Sequence, residues 1–577
     1  MSACLLGAWV PSSAQCTFPP TTDFKIVQVF KGMTNASHMA VQPDGSIFAV
    51  EQWTGKVHLY TPGKGLTLLG TVPTNAGKKV EDGMLGIVAD INYPTSHWLY
   101  ILHTPATLGS NRLTRYTVTN GALTNPKVIL DYARIVTGLD DDQRHAGGGL
   151  AWNRKTGDLW MSTGDDTYPF GDRSVYGPRD PDHPSTSALK SSANTNDLRG
   201  KSLRIHPIPF PDALTPPKGV GQTYNIPEGN LFPIGKSDPA KTRPEIYSMG
   251  HRNAYRVKVD TVTGWAFVGE VGADADLYDD AKGPPGYDKI TLLKAPGNAG
   301  WPFSNGNREP YKVRTYETAY INAGYKVGDP FKLDSLKNLS AVNTGLIDLP
   351  SPPIPPLVYY CMNAYQKGLS AQLGGGGEAV MAGPTYDFNP NLVSDVKLPP
   401  FFHRKVMFGC YSRHYIWLMT LDTAGTLTAL NKIANIPYYI TDMDMGPDGT
   451  LYFLDYEGGA VYSVQYTGAQ KDYKACSFIK EGCMDPKYTE YDKANNLNKP
   501  SMCVTVAIKR PDAKDKHVKL MPNLNLGRID IPAGSTGVEI FTVSGKRIFS
   551  KSAVGPTQLE LPKGIADLGL LYVNFLK

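Results

Sequence analysis

One phrase recurs along these 577 residues and constrains the fold more than any other feature: a tight turn, a short strand of alternating apolar positions, then a polar exit. It occurs at Pro43-Asp44-Gly45 running into SIFAVEQ, at Thr156-Gly157 into DLWMSTGDD, at Thr263-Gly264 into WAFVGEVG and at Pro447-Asp448-Gly449 into TLYFLDYEGG. Each copy joins turn chemistry to a period of two, the pattern of a strand with one buried face. HWLYILHT from His97, RLTRYTVT from Arg112 and HYIWLMTLD from His414 supply further strands between the copies. Recurrence every ~45–60 residues is what small sheets arranged about a common axis produce. Residues 20–466 are therefore expected to form an all-β, six-bladed β-propeller. Seven blades would leave too little chain for two long inserts, Tyr168–Asn196 and Tyr311–Gly377. A pair of β-sandwiches is the competing architecture.

Composition excludes several functions. Fifty-eight Lys+Arg against 53 Asp+Glu leave a net charge of only +5, with both signs interspersed, so no basic face for nucleic acid is expected. No apolar run reaches the ~18–20 residues of a membrane span. Residues 1–15, apolar from Ala3 to Val10 and then rich in small residues, read as a secretory signal peptide. The six cysteines beyond it, Cys16, Cys361, Cys410, Cys476, Cys483 and Cys503, form an even set that an oxidising compartment can pair in several ways. Residues 467–503 read as a Cys-bracketed, disulfide-stapled linker, with Asp485 and Asn495 as alternative Ca²⁺ donors. Residues 504–577 alternate cleanly and are expected to form a small β-sandwich similar to the sorting or attachment modules of secreted bacterial proteins.

Three polar clusters carry the candidate chemistry. Asp140-Asp141-Asp142-Gln143-Arg144-His145 precedes three glycines and a strand that exits at Gly164-Asp165-Asp166, placing an imidazole where backbone can approach a ligand closely. Met249-Gly250-His251-Arg252-Asn253 offers a planar donor fork and an amide, suited to a carboxylate or a quinone-type oxygen. Glu270 to Asp276 with Gly286-Tyr287-Asp288 gathers hard oxygens that suit Ca²⁺ rather than zinc or copper. HExxH, GxSxG, Walker and Rossmann signatures are absent from the sequence.

Taken together, the phrases Glu81-Asp82-Gly83-Met84-Leu85-Gly86, His145-Ala146-Gly147-Gly148, Gly164-Asp165, Asn196-Asp197-Leu198-Arg199-Gly200-Lys201, Pro244-Glu245-Ile246-Tyr247, Gly250-His251-Arg252-Asn253 and Gly297-Asn298-Ala299-Gly300-Trp301-Pro302 resemble the soluble quinoprotein glucose/sorbosone dehydrogenase family of six-bladed propellers, over roughly residues 25–466. The resemblance implies PQQ lying over the central channel with Ca²⁺ at its quinone edge. It implies His145 as the base that takes the hydroxyl proton and Arg252 as the cation that polarises the quinone oxygen. Asn253, Arg413 and Tyr439 fall at cofactor-binding positions, Glu81, Arg144 and Asp166 at substrate-facing ones, and Gly272, Ala273 and Asp288 at Ca²⁺-ligand positions.

Departures accompany the resemblance. The family's carboxylate-gripping lysine falls near Ser412, beside Arg413, and its arginine pair falls at Tyr439 and Thr441, while Lys289 stands where the family has an acid. The implied protein is a secreted, periplasmic or cell-surface bacterial enzyme that oxidises a sugar or polyol and passes electrons to an acceptor. A non-catalytic carbohydrate- or protein-binding propeller is one alternative. A lactonase-like metal hydrolase using Asp140–Asp142 is another.

Overall fold

The computed structural model describes residues 16–75, 81–107, 109–134, 145–167, 179, 187–210, 220–362, 368–504, 518–521, 528–531, 533–542, 547–552, 556–560 and 571–576. The expected leader, the Asp140–Arg144 run and most of the first insert lie outside them. The chain divides into two compact units, Met1–Cys476 and Ser477–Lys577.

In the first unit six sheets follow one another, five antiparallel and of four strands, and the third widened by short additional strands of which one pairs in parallel. The innermost strands are Ala36–Val41, Met84–Ala89, Gly147–Asn153, Asn253–Val259, Val380–Tyr386 and Ile440–Met445. Each packs on the next and the last packs on the first, which closes a six-bladed propeller around a channel. Inner strands are covered on both faces, so Ala36–Val41 and Met84–Ala89 are buried at every position. The peripheral Phe24–Lys31 shows a looser, partly alternating burial. In every blade the pairing of the innermost strand with its neighbour is broken by a register shift, at 36/38, 84/86, 147/150, 254/256, 382/385 and 440/442. Such bulges re-aim side chains, and here they fall on the strands that line the channel.

The ring is closed by the N-terminal strand. Phe24–Lys31 pairs with Ala460–Tyr466 as the outer strand of the sixth blade, so that blade is completed from both ends of the unit. A disulfide between Cys16 and Cys476 fastens the same two chain ends, and Tyr473 packs its ring 6.0 Å from Phe388, which carries the first unit beyond the expected 466. Cys361 and Cys410 remain buried thiols, so the even count of cysteines does not resolve into three pairs.

The channel is plugged midway by polar groups. Arg256, 1% exposed, donates from Nε to the Thr441 carbonyl at 2.8 Å, from Nη1 to the Tyr255 carbonyl at 2.8 Å and from Nη2 to the Ser37 carbonyl. Beneath it Asp442 receives Lys258 Nζ at 2.8 Å and stands 3.3 Å from His38 Nδ1.

Burial, reinforced by Arg256 and Lys258 and opposed by Asp442, lowers the His38 pKa to about 3. A histidine depressed in the folded state contributes stability above its unfolded value near 6.5 that is lost as pH falls from there towards 3. Between pH 7 and pH 4.5 the folded propeller should lose on the order of 2 kcal/mol from this group alone. Thermal midpoints of wild type and His38→Gln at the two pH values check this: the variant should show a distinctly shallower fall, and parallel curves would contradict it.

In the second unit Cys483 pairs with Cys503, whereas Cys476 belongs to the first unit. Asp485 Oδ1 accepts the Lys487 amide at 3.0 Å and Asn495 Nδ2 donates to the Cys483 carbonyl at 3.3 Å, both local loop bonds. Beyond Cys503 a four-stranded and a two-stranded sheet enclose Ile531, Val538, Ile540, Leu559, Val573 and Phe575, a small two-layered β core.

Candidate functional site

A cavity of about 430 Å³ opens at the end of the channel where the innermost strands begin. His145 enters it ahead of the third blade. Gly147 and Gly148 follow at φ 72° and 130°, and a Cβ on either would meet backbone within 2.7 Å, the Thr163–Gly164 chain for the first and Leu85 for the second. Glycine is required there because two neighbouring segments pass against the loop that presents the imidazole.

The orientation of that imidazole is fixed from behind. His145 Nδ1 donates to Asp165 Oδ1 at 2.6 Å, while Asp165 also receives Trp301 Nε1 on Oδ2 at 2.8 Å and the Thr167 hydroxyl and amide on Oδ1 at 2.9 and 3.0 Å. Burial works against the Asp165 carboxylate, but His145, Arg252 and the Thr167 amide outweigh it and hold Asp165 below its ordinary value. An ionised Asp165 selects the tautomer with the proton on Nδ1. His145 Nε2 is buried without a protein partner, and the residue lines the cavity.

Arg252 lines the same cavity. Its amide is held by Glu270 Oε1 at 2.9 Å, its guanidinium donates to the Gly272 carbonyl and lies 6.0 Å from the Trp301 ring centroid. Against the penalty of burial, Lys289 and His251 lower Glu270 to about 2, so a carboxylate always backs Arg252 at working pH. Asn253 and Glu81 brace each other: Asn253 Nδ2 donates to Glu81 Oε2 at 3.0 Å and Asn253 Oδ1 accepts the Gly147 amide at 3.1 Å, while Glu81 Oε2 also accepts the Ala146 amide at 3.0 Å. Glu81 thus lines the cavity with oxygens already engaged in holding the His145 loop.

Several expected site residues are placed elsewhere. Asp166 has φ 59°, which turns its side chain away from that of Asp165, and it is buried between Arg134 and Arg199, the latter at 3.0 Å; it does not line the cavity. Arg413 is held by backbone instead, donating to the carbonyls of Gly377 at 2.8 Å and Cys361 at 2.7 Å and stacking on Tyr360, and it does not line the cavity. Tyr439 stands behind Tyr411, with ring centroids 4.9 Å apart. Asp288 accepts three amides, Gly272 on Oδ1 at 2.8 Å and Ala379 and Val380 on Oδ2 at 2.7 Å each, so it serves as a bracket between blades rather than as an open ligand. Ala273 is fully buried and its carbonyl accepts the Ala275 amide at 2.8 Å. Arg144 lies outside the described residues.

Sequence reasoning missed the aromatic wall made by Trp53, Tyr411 and Tyr456, and the buried Arg256 on the floor. Tyr456 donates to Gln52 Oε1 at 2.8 Å and its ring meets Trp53 edge-on at 6.3 Å. The signal that could have found them is positional: Trp53 and Tyr456 each directly follow a GluGln or Asp strand exit, the same turn that carries Asp165. Among the described residues, no three His, Cys, Asp or Glu side chains converge as a metal cage.

A family model described as glucose/sorbosone dehydrogenase matches residues 33–326, just over half of the chain. An uncharacterized protein of Synechocystis is 24% identical over 298 residues, which is 50% of this chain and 61% of the relative, so the chain spans less than two thirds of that relative's length. Two solved glucose dehydrogenases, at 17% and 18% identity, superpose with a TM-score of 0.50 over 77% of this chain and 99% of their own, which extends the likeness of fold over the whole propeller.

Proposed function

Because the chain belongs to the glucose/sorbosone dehydrogenase family, we propose that it is a dehydrogenase that oxidises a sugar or polyol in the channel-mouth cavity, with PQQ as resident cofactor and Ca²⁺ beside it. The observation that carries this reading is the pairing, in one cavity, of an unpartnered imidazole nitrogen on His145 with the guanidinium of Arg252.

The residues present fit such a cofactor. Leu85, Val271 and the rings of Trp53, Tyr411 and Tyr456 offer faces to a flat ring system, and Arg252 with Asn253 supplies donors at one edge. For the carboxylates, the floor guanidinium of Arg256 takes the part expected of Arg413 and Tyr439; with three of its five N–H groups engaged by carbonyls, it keeps two.

PQQ, when bound, supplies the two-electron acceptor that takes hydride from the substrate carbon. The chain's own part is proton handling and charge. His145 accepts the hydroxyl proton at Nε2, and Asp165, ionised and hydrogen-bonded to Nδ1, stabilises the imidazolium that results. Arg252, fixed by Glu270 and the Gly272 carbonyl, presents a positive charge that needs no reorganisation as negative charge develops on an oxygen beside it. Trp53 and Tyr456 suit the apolar face of a pyranose.

The two disulfides accord with an oxidising, extracytoplasmic site of action, and the small C-terminal β unit with surface attachment. No helix among the described residues is long and apolar enough to cross a membrane. The hydrolase alternative rests on Asp140–Asp142, outside the described residues.

The test is reconstitution of the full chain with PQQ and Ca²⁺, followed by dye-linked oxidation of a panel of aldoses and polyols. Saturable PQQ binding at micromolar concentration and dye reduction with at least one substrate are expected. The absence of both PQQ binding and turnover would remove the reading.

A further inference from the structure

The channel has a second mouth. Where the innermost strands end, on the other side of the Arg256 plug, Val41, Val88, Leu150, Val259, Thr385 and Met445 of the six successive blades line a cavity of about 420 Å³. None of its lining residues is shared with the cavity that holds His145 and Arg252. Two polar atoms here are buried and lack a protein partner. One is on His38, itself 1% exposed: Asp442, whose pKa is lowered to about 2, stands as a carboxylate 3.3 Å from Nδ1 and keeps the ring proton there, which leaves Nε2 an acceptor without a donor. The other is Thr385 Oγ1. Thr385 follows Pro384 where the pairing with the next strand shifts between Ala382 and Thr385, so the strand bends at a residue that has no amide to donate. Buried polar groups in native folds are nearly always matched, and two unmatched ones in one cavity call for partners from outside the chain.

We propose that this second mouth is a binding site for a small neutral polyhydroxylated ligand, an alditol or a monosaccharide, held by His38, Thr385, Asp444 and Lys258. The charges at the site are largely paired already: Lys258 with Asp442 at 2.8 Å, and Asp260 and Asp387 with Arg404. Asp444 accepts the Val41 amide on Oδ2 at 3.3 Å and the Met445 amide on Oδ1 at 2.9 Å, and each oxygen keeps a second lone pair. An anion would meet the carboxylates of Asp444, Asp260 and Asp387, and a cation would meet Lys258 and Arg154. A hydroxyl suits both kinds of neighbour, because it donates to Asp444 and His38 Nε2 and accepts from Lys258 and Thr385. Val41, Val88, Leu150 and the ring of Trp152 offer apolar surface to the C–H faces of such a ligand. The site stands apart from the dehydrogenase reading, and its test needs neither PQQ nor turnover.

The probe is D-glucitol, titrated into the full chain without PQQ and followed by saturation-transfer NMR and by the thermal midpoint, for wild type, Thr385→Val, Asp444→Asn and Trp53→Ala. Wild type should bind, and its midpoint should rise with ligand concentration. Asp444→Asn should weaken binding at least about tenfold and Thr385→Val about threefold, the losses expected for a hydrogen bond to a charged and to a neutral group. Trp53→Ala, at the other mouth, should leave this binding in place. Thr385→Val conserves the shape of the side chain and serves if Asp444→Asn fails to fold. Undiminished affinity in both Thr385→Val and Asp444→Asn overturns the proposal, as does loss of all binding in Trp53→Ala, which would place the ligand at the other mouth. A wild type that binds no polyol also overturns it, the cavity then holding water alone.

Discussion

His145→Gln is expected to lower the turnover of PQQ-reconstituted protein by about a thousandfold while PQQ affinity changes little, the magnitude a positioned general base typically contributes. The argument runs from the buried chain outward. Asp165 is ionised and fully committed to His145, Trp301 and Thr167, so the imidazole has one tautomer and directs a lone pair at the cavity. A carboxamide fills much of the same volume but cannot take a proton near neutral pH. The loss should therefore appear in kcat, with KM and cofactor titrations close to wild type. Asp165→Asn acts through the same atom: an amide facing Nδ1 lets the proton reside on Nε2, and a fall in kcat whose pH profile moves with it would separate this positioning role from simple destabilisation. Variants with undiminished kcat would place proton transfer on another group.

Arg256→Met is expected to cost the propeller about 3–5 kcal/mol, the range seen when a buried charge loses its counterpart, and to lower the thermal midpoint by at least about 5 °C. Its guanidinium joins carbonyls of Tyr255, Ser37 and Thr441, which belong to the fourth, first and sixth blades. Methionine matches the volume but leaves those buried carbonyls without donors and removes positive charge from above Asp442, whose pKa is lowered to about 2 against burial by His38, Lys258 and Arg256. The same variant should weaken PQQ binding, because Arg256 is the cation on the cavity floor. A scanning calorimetry midpoint unchanged from wild type would show that blade packing alone holds the channel shut.

Much of the architecture was legible because its signals are local. The turn dipeptides and the two-residue alternation lie within single hairpins, and Ala266–Val271, Leu451–Asp455 and Tyr415–Leu421 form where their patterns place strands. The glycines after His145 were legible for the same reason, since close backbone approach leaves only that residue type. Partner choice was another matter. Asp165 and Asp166 are adjacent and chemically identical, and a left-handed φ at the second decides which one meets His145 and which sinks between Arg134 and Arg199. Arg413 carried the right charge at a plausible position, yet the carbonyls of Gly377 and Cys361 capture it.

From the chain alone came a ring of short antiparallel sheets, a basic imidazole presented by glycines, and a fork of donors on a later blade. Each depends on interactions spanning a few residues, and such interactions are written in the order of side chains. Which groups share the cavity, which carboxylate acts as bracket, and what plugs the channel were settled only by folding. Those outcomes hinge on contacts between blades 100 or more positions apart, as in Arg256 with Ser37 and Thr441, where burial makes every unpaired charge costly and each partner is selected from groups that the sequence leaves unordered in space.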